Sequence, residues 1–413
     1  MSNFRIYIYL KFKYFCLSFL TRSNTRINEI SKILNKITNK KKTILTSQLR
    51  VGFFLVLKYL LKEKPKKKEI ILNSYNLPEM VNICKNLNLN IVYTKLNENI
   101  FLSKNDLKKK INKNTLAVVI TNMFNTTDDI IQIKKICSKK NIPLIEDNAI
   151  YFGNYIKKNN RKIFSGSFGD YSLHSFNIMK SISALYGGSV STNDKKFIKF
   201  ANKEMLEFKK FPLLKYINQC FIFIFLKSLS FKIIYSLFFF RLIKIAHRNN
   251  LNLVLSLVYP SLKFKKALIP KNYYTNISSF SINMIFYQLN DTFNTEYNHD
   301  IRRKNNIYYS QKLFKKKIKP LKYINIKEQD FQNFNDFPII VKDKIKLMNY
   351  LFNRGIETKA IQYVDCHKLF KGKNSQNCSN FENKILCLPN HIKISEMYID
   401  YVVNCIDLFY KKY

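Results

Sequence analysis

From residue 43 to about 194, short apolar runs and amphipathic runs take turns along the chain. Residues 51–61 read as an apolar helix. Residues 69–72 read as a short strand, followed by a turn and a helix ending near Asn86. Residues 90–94 and 116–121 are predicted strands, the second buried by its run of Leu, Ala, Val, Val and Ile. Thr126 or Thr127 can cap the next helix, with Asp128 and Asp129 in its first turn where the dipole favours acid. That helix is predicted to run to about Lys140. Residues 142–145 make the next strand, which ends at Glu146 and Asp147. Strands alternating with helices predict an α/β fold around a parallel sheet, with ligand at the carboxyl ends of its strands.

Two stretches break this rhythm. Residues 6–10 alternate apolar and polar, which predicts a strand or a membrane-touching start; Arg5, Lys11 and Lys13 argue against an export signal. Residues 204–270 form an apolar insertion in which 220–226 and 233–240 are nearly all apolar. At about 100° per residue, Lys227, Lys232, Arg241 and Lys244 share no single helical face. The insertion is therefore neither a clean span nor a clean interfacial helix. Packing within the protein or a dimer, peripheral membrane contact through 220–240, and a span all stay open. From 271 a smaller α/β unit is predicted. It has a helix over 278–309, a strand at 337–341, a helix at 344–353 closed by Gly355, a strand ending at 386–389 and a terminal helix over 395–410. The expected organisation is an N-terminal segment 1–42, a large domain 43–203, the insertion 204–270 and a small C-terminal domain 271–413.

Charge changes this picture less than its size suggests. Lys plus Arg number 71 against 27 Asp plus Glu, a formal +44. Only ten of the basic residues are Arg, whereas base readout favours the planar Arg fork. Abundant Lys, Asn, Ile, Phe and Tyr beside scarce Gly and absent Trp point to a coding bias, so nucleic acid is not the expected partner. The field still favours acidic small molecules and anionic surfaces. Eight scattered cysteines without a CxxC pair suggest reduced thiols and a cytoplasmic location; the apolar insertion leaves the inner face of the membrane open as its place there. Cys366, His367, Cys378, Cys387 and His391 are too irregularly spaced for an expected metal site.

Composition makes glycine informative. Five of eight glycines, Gly153, Gly166, Gly169, Gly187 and Gly188, fall within one short window, where a Gly-poor chain would keep them for positive φ or close backbone approach to a ligand. The same window holds Asp147 at a strand's carboxyl end, Ser175, and Lys180 five residues later. A carboxylate, a hydroxyl and an amine are what pyridoxal phosphate (PLP) requires. The lysine bonds its aldehyde, the acid pairs with the ring nitrogen, and hydroxyls with backbone N–H groups hold the phosphate.

The motifs carry a resemblance. Glu146-Asp147-x-Ala149, then Gly166-Ser167-Phe168-Gly169-Asp170, Ser175-Phe176 with Lys180, and Gly187-Gly188 with Thr192-Asn193-Asp194 resemble the core of the DegT/DnrJ/EryC1/StrS sugar aminotransferases. The stretches 47–57 and 71–83, Gln288-Leu289, 354–358 and Leu388-Pro389-x-His391 extend it more weakly. The resemblance implies the PLP-dependent transferase fold type I. In that fold a large domain has a mostly parallel seven-stranded sheet, and a smaller C-terminal α/β domain follows. It implies Lys180 as the catalytic, cofactor-bonding lysine and proton shuttle, Asp147 on the pyridine nitrogen and Ser175 on the phosphate. The implied substrates are an amino acid, usually glutamate, and a nucleotide-linked keto sugar destined for cell-surface polysaccharide. The implied assembly is a homodimer with shared sites, Asn276 being the candidate to reach the partner's phosphate. A lysine at 180, where dehydratases of the family carry histidine, implies transamination. Several family positions differ here. Ile150 stands for Gln or His, Leu49 to Val51 for the phosphate-binding Gly and Ser or Thr, and Lys95 for an acid. The ring-stacking aromatic is expected near Leu77 or Tyr75. A catalytically degenerate, membrane-associated relative is the alternative.

Overall fold

The computed structural model describes residues 4–21, 25–97, 100–124, 127–158, 161–249, 251, 273–318, 321–323, 332–360, 363–371 and 376–412. Thr126 and the part of the insertion beyond residue 251 lie outside them.

Seven strands form the main sheet: β1 (Lys42–Thr46), β2 (Glu69–Asn73), β3 (Asn90–Thr94), β4 (Thr115–Thr121), β5 (Leu144–Asp147), β6 (Tyr171–Ser175) and β7 (Gly188–Thr192). Their spatial order is β1-β7-β6-β5-β4-β2-β3. β3, β2, β4, β5 and β6 pair in parallel, whereas β7 runs antiparallel to both β6 and β1. The expected mostly parallel seven-stranded sheet is thus present.

The period-two pattern of the central strands explains the layers. On β2 and β4, Ile70, Leu72, Ala117 and Val119 join a core with Val51, Leu55 and Val56 of the helix Leu49–Glu63 and with Phe197 and Ala201 of the helix Lys195–Leu206. The alternate residues Ile71, Val118 and Ile120 meet Ile130, Ile133 and Cys137 of the helix Thr127–Lys139. Apolar residues on both faces are what a sheet sandwiched between helices requires.

The C-terminal part adds a three-stranded antiparallel sheet, β8 (Lys322–Tyr323), β9 (Asp336–Ile340) and β10 (Ile385–Pro389). The helices Thr292–Lys316, Lys344–Asn353 and Glu396–Lys412 pack with it in one core that includes Tyr309, Leu347, Leu351, Val402 and Ile406. The helix expected over 278–309 is two helices, Ser279–Asn290 and Thr292–Lys316, broken at Asp291. Lys11 Nζ and Tyr14 Oη both donate to the Asp291 carboxylate, at 2.8 and 2.5 Å, which holds the corner.

Residues 6–10 form no strand, contrary to the alternation. Ile8 and Leu10 are fully buried and the segment runs as an unpaired strap. Helix Phe12–Leu20 follows it. Phe4, Ile8, Leu10 and Phe15 share a core with Phe223, Leu226 and Tyr235 of the insertion and with Met284 and Ile285. Segments from 1–42, 204–270 and 271–413 therefore pack together.

Candidate active site

The register of β5, β6, β7 and β1 fixes one edge of the sheet. Asp147 closes β5 and pairs with Leu173, two residues before Ser175 closes β6. Ser175 sits opposite Gly188, and Gly188 opposite Thr46. The chain leaves β1 there and starts the helix Leu49–Glu63 after Gln48. A Cβ on Gly188 would lie 2.3 Å from the Leu49 nitrogen, so glycine lets the helix start press against β7. Ser175 thus lies one strand away from a helix N-terminus, whose first N–H groups favour an anion. The Ser47 hydroxyl is buried nearby in sequence with no partner among the described residues.

Asp147 is 1% exposed. The Ala149 N–H donates to its Oδ1 at 2.9 Å. Burial pushes its carboxyl up to about 6, against that hydrogen bond and the charge of Lys180. Lys180 follows β6 in a turn where its N–H donates to the Asn177 carbonyl at 3.0 Å. Its side chain is half-buried, and protein surrounds the amine. Desolvation, then the cations Lys359 and Arg50, bring the amine down to about 8, with Asp147 and Asp336 opposing. An amine and an acid have therefore both been moved toward neutrality, and each feels the other's charge.

Three groups around Lys180 were not found from sequence. Arg50, in the first turn of its helix, donates to Glu79 Oε1 at 2.9 Å and to Gln48 Oε1 at 2.8 Å. Lys359 and Asp336 form an ion pair at 3.5 Å in the C-terminal part. A two-residue pairing of Tyr75–Asn76 with Val364–Asp365 brings Tyr363 to the site, where the charge of Asp147 helps raise its phenol. Nothing local in the sequence marks residues contributed from nearly two hundred positions away. The position of Arg50 beside the helix start was the one available signal.

The glycines bear out the need for positive φ at two places, Gly153 at +81° and Gly166 at +94°. Of the five clustered glycines, only Gly188 touches the helix start. Gly166 and Gly169 serve a buried carboxylate: Glu146 accepts N–H bonds from Gly166 at 2.7 Å, Phe168 at 3.2 Å and Gly169 at 2.9 Å, and from Asn122 at 3.0 Å. The Gly-Ser-Phe-Gly motif is thus a loop clamped by Glu146. Gly153, at φ +81°, packs on His299. Tyr75 is fully buried and edge-on to Tyr363, and Leu77 packs into two apolar cores. Asn276 spends its amide on the carbonyls of Met205 and Phe208, each 3.1 Å away. A cavity lined by Lys40, Lys134, Asp170 and Thr192 lies at the opposite edge, where β5 and β6 begin.

The motif block has counterparts among known proteins. Residues 18–210 match the model of the DegT/DnrJ/EryC1/StrS aminotransferase family. The chain is 36% identical over 96 residues to the GDP-perosamine synthase of Vibrio cholerae, and 35% over 99 residues to that of Escherichia coli O157:H7. Those alignments cover 23% and 24% of this chain, and the chain spans about a quarter of the length of these relatives, 25% and 26%. Over the whole fold it resembles PseC of Helicobacter pylori, an aminotransferase of pseudoaminic acid biosynthesis (TM-score 0.73, 14% identity, all of both chains). It also resembles the sugar aminotransferase Spr1654 of Streptococcus pneumoniae in its PMP form (0.71, 14%, 100% and 99%) and an E. coli GDP-4-keto-6-deoxy-D-mannose-3-dehydratase with hydrated PLP (0.69, 17%, 98% and 99%). At these identities the structures establish the fold.

Proposed function

We propose that this protein is a PLP-dependent aminotransferase that moves an amino group from an amino acid, glutamate first among donors, to a nucleotide-linked keto sugar. The observation that carries the reading is the placing of a buried Asp147 at the carboxyl end of its strand within the electrostatic reach of Lys180, each shifted toward neutrality.

The residues present fit the cofactor. The buried Asp147 carboxylate has one side-chain hydrogen bond among the described residues, leaving acceptor capacity for a ring N–H. Such a partner would let Asp147 stay ionised in a site that otherwise disfavours its charge. Ser175, Ser47 and the N–H groups opening the helix Leu49–Glu63 would hold the phosphate, with Arg50 adding positive charge. When bound, PLP supplies the electron sink that makes the substrate's amine-bearing carbon acidic. Lys180, with a pKa of about 8, holds an appreciable neutral fraction near pH 7. Lys180 would hold the cofactor's aldehyde carbon and would carry a proton between the substrate's amine-bearing carbon and that cofactor carbon, across the nitrogen that separates them. Lysine rather than histidine at 180 favours transamination over the dehydratase chemistry of a structural neighbour. The basic surface would suit a nucleotide diphosphate. A homodimer in the cytoplasm, feeding cell-surface polysaccharide, completes the proposal.

One observation favours a second reading. Leu49 and Ile150 put apolar side chains where the family offers polar cofactor contacts, and Leu49 is buried in the core. A degenerate relative would bind PLP poorly. The test is an absorption spectrum of the purified protein with PLP, before and after glutamate. A yellow protein that bleaches with glutamate supports the aminotransferase. A protein that stays colourless with added PLP overturns it in favour of the second reading.

A further inference from the structure

The insertion presents its greasy side to solvent. In helix Leu213–Leu229, Tyr216, Phe223, Leu226 and Leu229 are buried. On the opposite side Leu213, Leu214, Ile217, Phe221 and Ile224 are exposed, Phe221 by 67% and Leu214 by 82%. Their spacing of three and four residues makes one outward apolar stripe. Lys227 is turned inward, where its Nζ donates to the Ile8 and Leu10 carbonyls at 2.8 and 2.9 Å. The chain then bends by 82° and continues over residues 232–246. Ile233, Ile234, Leu237, Phe238, Leu242 and Ile245 are exposed on this arm, with Phe231 at the bend. The bend explains why the basic residues shared no face on one straight helix. Helix Phe12–Leu20 packs against the first arm through Phe15 and Phe223, ring centroids 4.7 Å apart, and exposes Phe12, Phe19 and Leu20.

Among the described residues, no single helix is long and apolar enough to cross a membrane. The first arm's 17 residues make about 25 Å of helix, short of a hydrocarbon core of about 30 Å. Charge names the occupant. Residues 208–290 contain twelve Lys or Arg and no Asp or Glu; residues 1–28 contain five and none. The two acid-free stretches are the ones that pack together. A second copy laid on this face would bring like charges together. An anionic lipid surface takes both the apolar stripe and its basic surroundings, including Lys215, Lys232, Arg241 and Lys244. We infer that the bent arms Leu213–Leu229 and 232–246, with helix Phe12–Leu20, form a monotopic docking surface for an anionic bilayer, lying in the interface without spanning it.

The test is co-sedimentation of the full chain with vesicles of phosphatidylglycerol and phosphatidylcholine, against phosphatidylcholine alone. The double variant Phe221→Glu/Ile224→Glu runs in parallel, with circular dichroism confirming its fold. Should that variant fail to fold, Ile233→Glu/Leu237→Glu on the second arm replaces it. The inference expects binding to the anionic vesicles, weakening with salt, and a drop of about tenfold or more in apparent affinity in the variant. No binding by the folded wild-type chain overturns it. So does concentration-dependent self-association, read by sedimentation velocity and abolished by the variant without vesicle binding; that result makes the face a protein interface. None of these readouts depends on cofactor or turnover.

Discussion

Gly188→Ala tests the cofactor site without removing any functional group. A Cβ at 188 would lie 2.3 Å from the Leu49 nitrogen, 2.5 Å from the Gln48 carbonyl carbon and 2.7 Å from the Leu49 Cα. Ordinary contact begins at 3.4 Å, and every one of these neighbours is backbone, so the helix start and β7 must separate by about 1 Å. Overpacking of this kind costs about 1–3 kcal/mol of stability. It also moves the N–H groups of Leu49 and Arg50 away from Ser175, and a shift of about 1 Å in a binding group is worth roughly tenfold or more. Gly52→Ala is the control on the same helix. Its Cβ would meet a methyl of the fully buried, β-branched Val190 at 2.6 Å, a clash with a core side chain away from the first N–H groups of the helix. PLP affinity by absorbance titration and apoprotein stability by denaturant unfolding should fall together in Gly188→Ala, whereas Gly52→Ala should lose stability by overpacking and keep its PLP affinity per folded molecule. A Gly188→Ala protein that loses stability yet binds PLP within about twofold of wild type would refute the reasoning, because the phosphate would then not rest on this helix start.

Borohydride reduction of the PLP-loaded protein should fix the cofactor on the peptide holding Lys180, and Lys180→Ala should abolish that adduct in the mass spectrum; label on another lysine defeats the assignment. In the apoprotein, the Asp147 pKa of about 6 lies above its unfolded value of about 3.9, so the folded state holds the extra proton between roughly pH 4 and 6. Stability should decline as pH rises through that window, by at most about 3 kcal/mol, and Asp147→Asn should remove the decline while weakening PLP. Equal slopes for both proteins in denaturant midpoints against pH would count against it. For Lys180, lowered to about 8, the sign reverses: apoprotein stability should rise between about pH 8 and 10.4, and a Lys180→Met protein that keeps the rise would contradict the assignment. Glu146→Gln should cost about 2–4 kcal/mol by weakening the bonds from Gly166, Phe168 and Gly169, and PLP trapping per folded molecule should persist. Loss of trapping in well-folded Glu146→Gln would mean that Glu146 does more than clamp a loop.

The parallel sheet was readable because β2, β4 and β5 carry their burial in local apolar runs. Asp147, Ser175 and Lys180 stood out because sheet edges and short loops keep them close in sequence. The glycines misled in part. Sequence reports that a backbone position is tight, and cannot say whether a ligand or a carboxylate such as Glu146 is the reason. Residues 6–10 misled as well, since alternation records one buried side and a lone strap buries one side as a strand does. Arg50 with Glu79, Lys359 with Asp336, and Tyr363 beside Asp147 depend on folding of the whole chain, so no window around any one of them shows the others. The 82° bend was invisible for the same reason: the inward turn of Lys227 onto the strap is what reconciles its charge with an apolar helix.

That strap also orders the protein's assembly. The Phe4 carbonyl meets His391 Nε2 at 2.9 Å, the Arg5 N–H donates to Glu357 at 3.0 Å, and Tyr9 lies beneath the Arg302 guanidinium at 4.9 Å. Their seats lie hundreds of residues further along the chain, so closure of these contacts is a late folding event with a large loop to bring together. Lys227 cannot find the Ile8 and Leu10 carbonyls in their final place until then. The greasy arms consequently reach their finished shape only once these distant segments have closed on the strap.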